Sequence, residues 1–401
     1  MQLVSFQIKE CFGFRDSGRV DLQDPTNFIY VLGRNSSGKT SFLTALAHFA
    51  PGLIPQAHRN FTNFDPSTHA SYLLGEYKVG EGDLIVDAFV KAFGAKMDEL
   101  NRGTSATFGS NEYRRIKEEL TNQLSTVYAD LIKKVVYAGS MWVYRIASGE
   151  YRFSTEPSFK DCTERRKHQV PTLLTKVPAQ LGIQVQASGQ LFIGGSWQPF
   201  RQPTPDEIES LLAGQLPVIL LFQEAYSLFD ALPDIIKIEH ISQGHGPMTN
   251  ALIEYLGKTQ VERLLKGQNP RERDEILSGL QVKINTLVDE VNRDHEMGTK
   301  LLAIDLSRVD GLQVTAITGD KLSFYRHLSE NTKLLFAYHL YTAVYNLKDK
   351  VLLFDEPNNG FHATAQKRLL GFLRNLGVIG NLVVISTHSE HLLTTAEESK
   401  V

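Results

Sequence analysis

Gly33-Arg-Asn-Ser-Ser-Gly38-Lys39-Thr40 fills every position of the pattern G-x-x-x-x-G-K-[ST], in which a glycine-rich backbone turns successive N–H groups toward phosphate oxygens. The flanks agree with that chemistry. Asn27-Phe-Ile-Tyr-Val-Leu32 before it reads as a buried strand, and Ser41-Phe-Leu-Thr-Ala-Leu-Ala-His-Phe-Ala50 after it spaces apolar side chains as a helix does, up to the breaker Pro51-Gly52. A helix starting there offers its positive end to an anion. Gly33, Asn35, Ser36, Ser37, Gly38 and Ser41 are assigned to the cradle. Lys39 reaches the terminal phosphates of a triphosphate, and Thr40 offers its hydroxyl to magnesium.

The complement lies near the other end. Val351-Leu-Leu-Phe-Asp355-Glu356-Pro357 is an apolar strand that delivers two adjacent carboxylates at its C-terminal end, where α/β sites form. Asp355 is assigned to magnesium and Glu356 to polarising the attacking water. Asn381-Leu-Val-Val-Ile-Ser-Thr387-His388-Ser389 repeats the arrangement, and His388 is placed to hydrogen-bond the terminal phosphate. Helices predicted over 333–347 and 363–376 alternate with these strands, which implies a mostly parallel sheet covered on both faces.

Composition excludes more than it identifies. Lys and Arg total 42 against 45 Asp and Glu, and 42% of the residues are hydrophobic, as in an ordinary globular chain. Cys11 and Cys162 cannot build a disulfide framework, which favours a reducing compartment, the cytoplasm by default. The start carries no secretory pattern, and the longest apolar run, Leu216 to Phe222, falls far short of the roughly 20 residues that span a bilayer. Between the two motif regions the pattern predicts extended segments over 70–94, a charged amphipathic helix over 111–136 and short strands over 141–200. Helices are predicted over 205–232 and 259–292, and a hairpin over 300–318 turning at Asp310-Gly311. The organisation expected is 1–94 and 301–401 as two halves of one α/β domain, with 95–300 as a helical and mixed insertion. Arg114, Arg115, Lys117, Lys133 and Lys134, and the loop Arg165-Arg166-Lys167-His168, are either nucleic-acid contacts or solvated faces diluted by Glu118, Glu119 and Glu164.

Taken together, Gly33 to Thr40, Leu353-Phe-Asp-Glu-Pro and Ser386-Thr-His-Ser resemble an ATP-binding-cassette ATPase. The 316 positions between Lys39 and Asp355 resemble the nucleic-acid-associated and defence branch, whose cassette is split by a large insertion. Glu356-Pro-Asn-Asn-Gly-Phe-His362 is similar to the DEPE-x-x-LH run of RecF-like and overcoming-lysogenization-defect ATPases, and Ile8 to Arg15 to their opening segment. The resemblance implies ATP and Mg2+ as ligands, a homodimer or higher homo-oligomer that sandwiches ATP, and no membrane. It also implies a signature motif, for which Leu328-Ser-Glu-Asn-Thr-Lys333 stands in place of LSGGQ, with Ser329 facing the nucleotide. Gln56 is the candidate glutamine-loop residue, joining Thr40 and Asp355 at the metal, and Arg15 either touches the nucleotide or is an exposed loop arginine.

Only 13 residues follow His388, so a separate Toprim or HNH nuclease is the expected effector. The function implied is an ATPase that regulates or scaffolds that effector in bacterial antiphage defence. The alternatives are an SMC- or RecF-like ATPase that binds DNA in repair or chromosome maintenance, and a scaffold that holds nucleotide as a structural ligand.

Overall fold

The computed structural model describes residues 1–34, 36–49, 72–84, 86–102, 114–122, 136, 138–146, 149–158, 184–186, 190–193, 196–201, 203–223, 232–233, 235–243, 246–267, 269–295, 302–307, 311–318, 321–328, 330–345, 347–357, 361 and 363–388. Among them the chain begins β1 (Gln2–Cys11), β2 (Phe14–Asp16), β3 (Val20–Asp21), β4 (Phe28–Leu32), α1 (Lys39–Phe49), β5 (Tyr72–Lys78) and α2 (Val86–Leu100). It continues with β6 (Ser140–Ile146), β7 (Tyr151–Ser154), β8 (Gln184–Val185), β9 (Gln190–Ile193), β10 (Ser196–Arg201), α3 (Pro205–Ala213) and β11 (Ile219–Gln223). Then come β12 (Ile235–Lys237), α4 (Ile238–Gln243), α5 (Gly246–Leu256), α6 (Lys258–Lys266), α7 (Pro270–His295), β13 (Leu302–Ser307), β14 (Gly311–Thr318) and β15 (Lys321–Phe324). The last elements are α8 (Glu330–Tyr345), β16 (Val351–Asp355), α9 (Ala363–Val378) and β17 (Leu382–Thr387). Two compact units are assembled from these stretches: the described residues of Met1–Gln23, Thr44–Gly52 and Thr62–Ile219 form the first, and those of Asp24–Leu43 and Leu220–Val401 the second.

The first unit is built on an antiparallel sheet in the order β2-β1-β5-β6-β7, with β3 also on β1. Phe49, at the end of α1, sets its ring edge-on to Phe6 at 5.3 Å and stacks with Tyr77 at 6.1 Å. Gly75 makes that approach possible, since a Cβ there would lie 2.3 Å from the Phe49 ring. Residues 86–94, expected to be extended, are helical instead. Phe89, Phe93 and Met97 recur every fourth position and are buried along one face of α2, and that period outweighs the strand-like apolar run at its start. Thr204 caps α3 in a reciprocal box with Glu207, as Thr-Pro-Asp-Glu should. Beyond Gly214 the expected helix over 205–232 does not continue; Ile219–Gln223 is strand β11. That apolar run is too short for a core helix and suits a buried strand.

In the second unit the sheet order is β11-β16-β17-β4, and β16, β17 and β4 run parallel. Every residue of β16 and β17 is buried, as parallel strands covered on both faces require. Phe354 stacks on Phe222 at 4.7 Å and meets Tyr338 of α8 edge-on at 5.3 Å, which fixes that helix against the sheet. Asn381, fully buried, joins the lower ends of these elements: Nδ2 donates to the carbonyls of Leu347 and Leu376, and Oδ1 accepts from the Lys350 N–H. A second, antiparallel sheet runs β12-β14-β13 with β15 on β14, and Ser307 pairs with Gly311 where the hairpin was predicted; Asp310 lies outside the described residues. Because β4, β16 and β17 are parallel, the three segments that follow them leave the sheet at one edge. This is an α/β fold, mixed in its sheets, with a central sheet whose β16, β17 and β4 are parallel.

Candidate nucleotide-binding site

All the parallel-edge residues belong to the second unit, and the register puts them side by side. Leu32 pairs with Thr387, and Asp355 with Ser386, so the loop after β4, the carboxylates after β16 and His388 after β17 emerge together. The loop is tightly wound. A Cβ on Gly33 would sit 2.3 Å from Ser37 Oγ, and Gly38 takes a φ of +91°, which side-chain-bearing residues rarely adopt. Ser36 also lies in the left-handed region at +63°, and Ser37 N–H bonds back to the Arg34 carbonyl at 3.1 Å. A Phe42 N–H bond to the Gly38 carbonyl then starts α1, with Ser41 in its first turn.

Lys39 is 8% exposed, so its ammonium must find partners. It donates to the carbonyls of Gly33 at 2.9 Å and Arg34 at 3.2 Å and pairs with Glu356 Oε1 at 3.3 Å. Beside it, Thr40 Oγ1 donates to Asp355 Oδ2 at 2.8 Å. Glu356 leaves β16 in the left-handed conformation, φ +49°, which swings its carboxylate toward both Lys39 and His388. His388 Nδ1 lies 2.8 Å from Glu356 Oε2, and the His388 backbone N–H donates to the same oxygen at 3.3 Å.

One participant was missed in the sequence. Ser386, buried in β17, donates its hydroxyl to Asp355 Oδ1, and its Oγ accepts the Glu356 N–H at 3.1 Å. The signal available was a serine embedded in the apolar run Leu382-Val-Val-Ile-Ser-Thr, one strand away from the acids. Of the other predicted residues, Arg15 is exposed in β2 of the first unit. Asn35, Gln56 and Ser329 lie outside the described residues, as do Lys133, Lys134 and the loop from Arg165 to His168. In the helical residues 114–122, Arg114 and Arg115 are exposed, while Lys117 pairs with Asp98 at 2.7 Å.

Asp355 and Thr40 present hard oxygens, a set suited to Mg2+. Among the described residues no group of three or more His, Cys, Asp or Glu gathers as a metal cage. Two protein oxygens suit an ion that takes its remaining positions from water and phosphate. Among the same residues no helix is long and apolar enough to cross a membrane.

Residues 259–394 match the family described as "AAA domain, putative AbiEii toxin, Type IV TA system". No curated protein matches the chain. Similar solved structures include an Smc head bound to the C-winged helix domain of ScpA, at 11% identity over 98% of this chain and 92% of that one, with a TM-score of 0.47. The Smc head with an extended coiled coil bound to the C-terminal domain of ScpA derived from Pyrococcus furiosus is 12% identical over 98% and 91%, TM-score 0.46. The SMC head domain from Thermotoga maritima is 11% identical over 98% and 92%, TM-score 0.36.

Proposed function

We propose that this chain binds ATP with Mg2+ at the parallel edge of its second unit, hydrolyses it, and closes as a dimer around it to control a separate effector. The observation that carries the reading is the 2.8 Å hydrogen bond from Thr40 to Asp355, two residues 315 positions apart whose types and places are those the chemistry asks for. Lys39 exchanges the carbonyls of Gly33 and Arg34, and Glu356, for phosphate oxygens. Once released from Lys39, Glu356 accepts the proton side of a water aimed at the terminal phosphorus, held in orientation by His388. Thr40 and Asp355 hold the metal-side oxygens, and the ion supplies charge neutralisation on the phosphates when bound. Ser329 would complete the site from the partner copy, as the cassette resemblance implies.

The effector reading is finer. It is supported by the motif resemblance to the defence branch and by the description of the matched family, which names a toxin and a toxin–antitoxin system. A Toprim or HNH nuclease acting in antiphage defence is the partner we infer.

Titration calorimetry and phosphate release test the reading directly. Lys39→Ala should weaken ATP binding by on the order of 2–5 kcal/mol, roughly thirty- to several-thousand-fold, in a folded sample. Glu356→Gln should keep ATP, lower turnover by about 10²- to 10⁴-fold and accumulate as a nucleotide-bound dimer in size-exclusion chromatography. Unchanged ATP affinity in folded Lys39→Ala overturns the assignment.

A further inference from the structure

We propose that Ser386 is a positioning residue for this site, a single buried hydroxyl that sets the orientation of both acids; the inference rests on the nucleotide reading above. A serine hydroxyl has one proton and two lone pairs. Here the proton goes to Asp355 Oδ1, and a lone pair receives the backbone N–H of Glu356 at 3.1 Å, which the Ser386 carbonyl shares at 3.1 Å.

The two halves of that contact have different consequences. On Asp355, the Ser386 hydroxyl occupies one carboxylate oxygen while Thr40 meets the other at 2.8 Å, so the plane of the carboxylate is fixed from both sides. Asp355 is 7% exposed and Ser386 fully buried, so water cannot replace the serine. Without it the carboxylate is free to rotate away from the metal-side direction, as ligands do when their supporting hydrogen bonds are removed. On Glu356, the shared N–H bond holds the residue at φ +49°, the conformation that brings its side chain to Lys39 and His388. A non-glycine residue stays in that region only when its surroundings hold it there. Ser386 therefore acts through the two acids.

Ser386→Thr and Ser386→Val test this as a matched pair, nearly equal in volume and different in the hydroxyl. Binding of a non-hydrolysable ATP analogue is measured by calorimetry in EDTA and across a Mg2+ series, with turnover measured separately. Val should leave the affinity in EDTA close to wild type and reduce the Mg2+-dependent gain by about 10- to 100-fold, while kcat falls more than KM rises. Thr should behave like wild type. Ser386→Ala carries the same comparison if Val overpacks the strand, with thermal melts confirming folding. Val or Ala variants with the wild-type Mg2+ dependence and kcat overturn the proposal. A wild-type chain whose analogue affinity does not respond to Mg2+ overturns the nucleotide reading beneath it, an outcome visible before any variant is made.

Discussion

Arg152 in the first unit and Lys39 in the second are both buried cations paired with acids, and the two clusters are built for different ends. In the first unit, Arg152 of β7 is 3% exposed and is held by Glu150, by Glu209 of α3 at 2.9 Å, by Asp206 at 3.4 Å and by the Tyr151 carbonyl. In the second unit, Lys39 has, among the described residues, a single carboxylate partner, Glu356, and two carbonyls of a glycine-cornered loop. Burial and charge are alike; what differs is how replaceable the partners are. The planar, forked guanidinium is closed off by carboxylates from two elements, whereas the Lys39 ammonium, a point charge at a helix start, can trade carbonyl oxygens for phosphate oxygens without unfolding anything. A buried ion pair is a ligand site only when its anionic half can be supplied from outside.

The largest expected effect that separates the two is Arg152→Ala. Losing the guanidinium takes from Glu209, 9% exposed, its 2.9 Å ion pair, and breaking a buried pair from one side costs about 3–5 kcal/mol. A urea melt should show that loss, while ATP affinity stays at wild type. Lys39→Ala should do the reverse, holding the melt and losing the nucleotide. If Arg152→Ala instead abolished ATP binding in folded protein, the division into a structural and an exchangeable cluster would be wrong.

An uncharged network sharpens the same comparison at intermediate size. Asn381 satisfies two carbonyls and one N–H at the end of the second unit's sheet away from the nucleotide site, and all three partners belong to the backbone. Asn381→Ala should cost about 1–3 kcal/mol, the desolvation of groups left unpaired, and leave turnover per folded molecule unchanged. Loss of turnover without loss of stability would show that the network tunes the opposite edge.

How far these clusters could be read in advance depends on whether their parts are contiguous. The phosphate loop is one stretch of eight residues, and Asp355-Glu356 are announced by four apolar residues of a parallel strand, so both were legible. Ser386 was not, because its role comes from the Asp355–Ser386 register between strands 31 positions apart. Nor was the Arg152 cluster as a whole: Glu150 is two positions away, but Asp206 and Glu209 sit on α3, 57 positions from the arginine for Glu209. Local period also misled where two periods overlapped. Leu84 to Val90 is a short apolar run, broken only by Asp87, that passes for a strand until Phe93 and Met97 extend the fourfold spacing, and the run from Ile219 reads as continuing α3 unless Gly214 and Pro217 are given their weight.

The smallest expected effect belongs to a third cluster, at the surface. Asp16 accepts from Lys9 at 2.7 Å, Gln7 at 2.8 Å and the Gly18 N–H at 2.9 Å, and these bonds, led by that from Lys9, draw its carboxyl down to about 2. An unfolded aspartate titrates near 3.9, so the folded state gains from this group above about pH 4 and loses the gain as the pH falls toward 2. The Lys9 and Asp16 side chains are 33% and 39% exposed, however, and water and salt screen what they share. Asp16→Asn should therefore leave the urea midpoint at neutral pH within error of wild type. Whatever small difference exists should shrink in molar salt and vanish below about pH 2, where wild-type Asp16 is itself protonated. Were Asp16→Asn to destabilise the protein as much as Arg152→Ala, burial would not be what gives the Arg152 cluster its strength, and the contrast with Lys39 would have to be rebuilt on the number of partners alone.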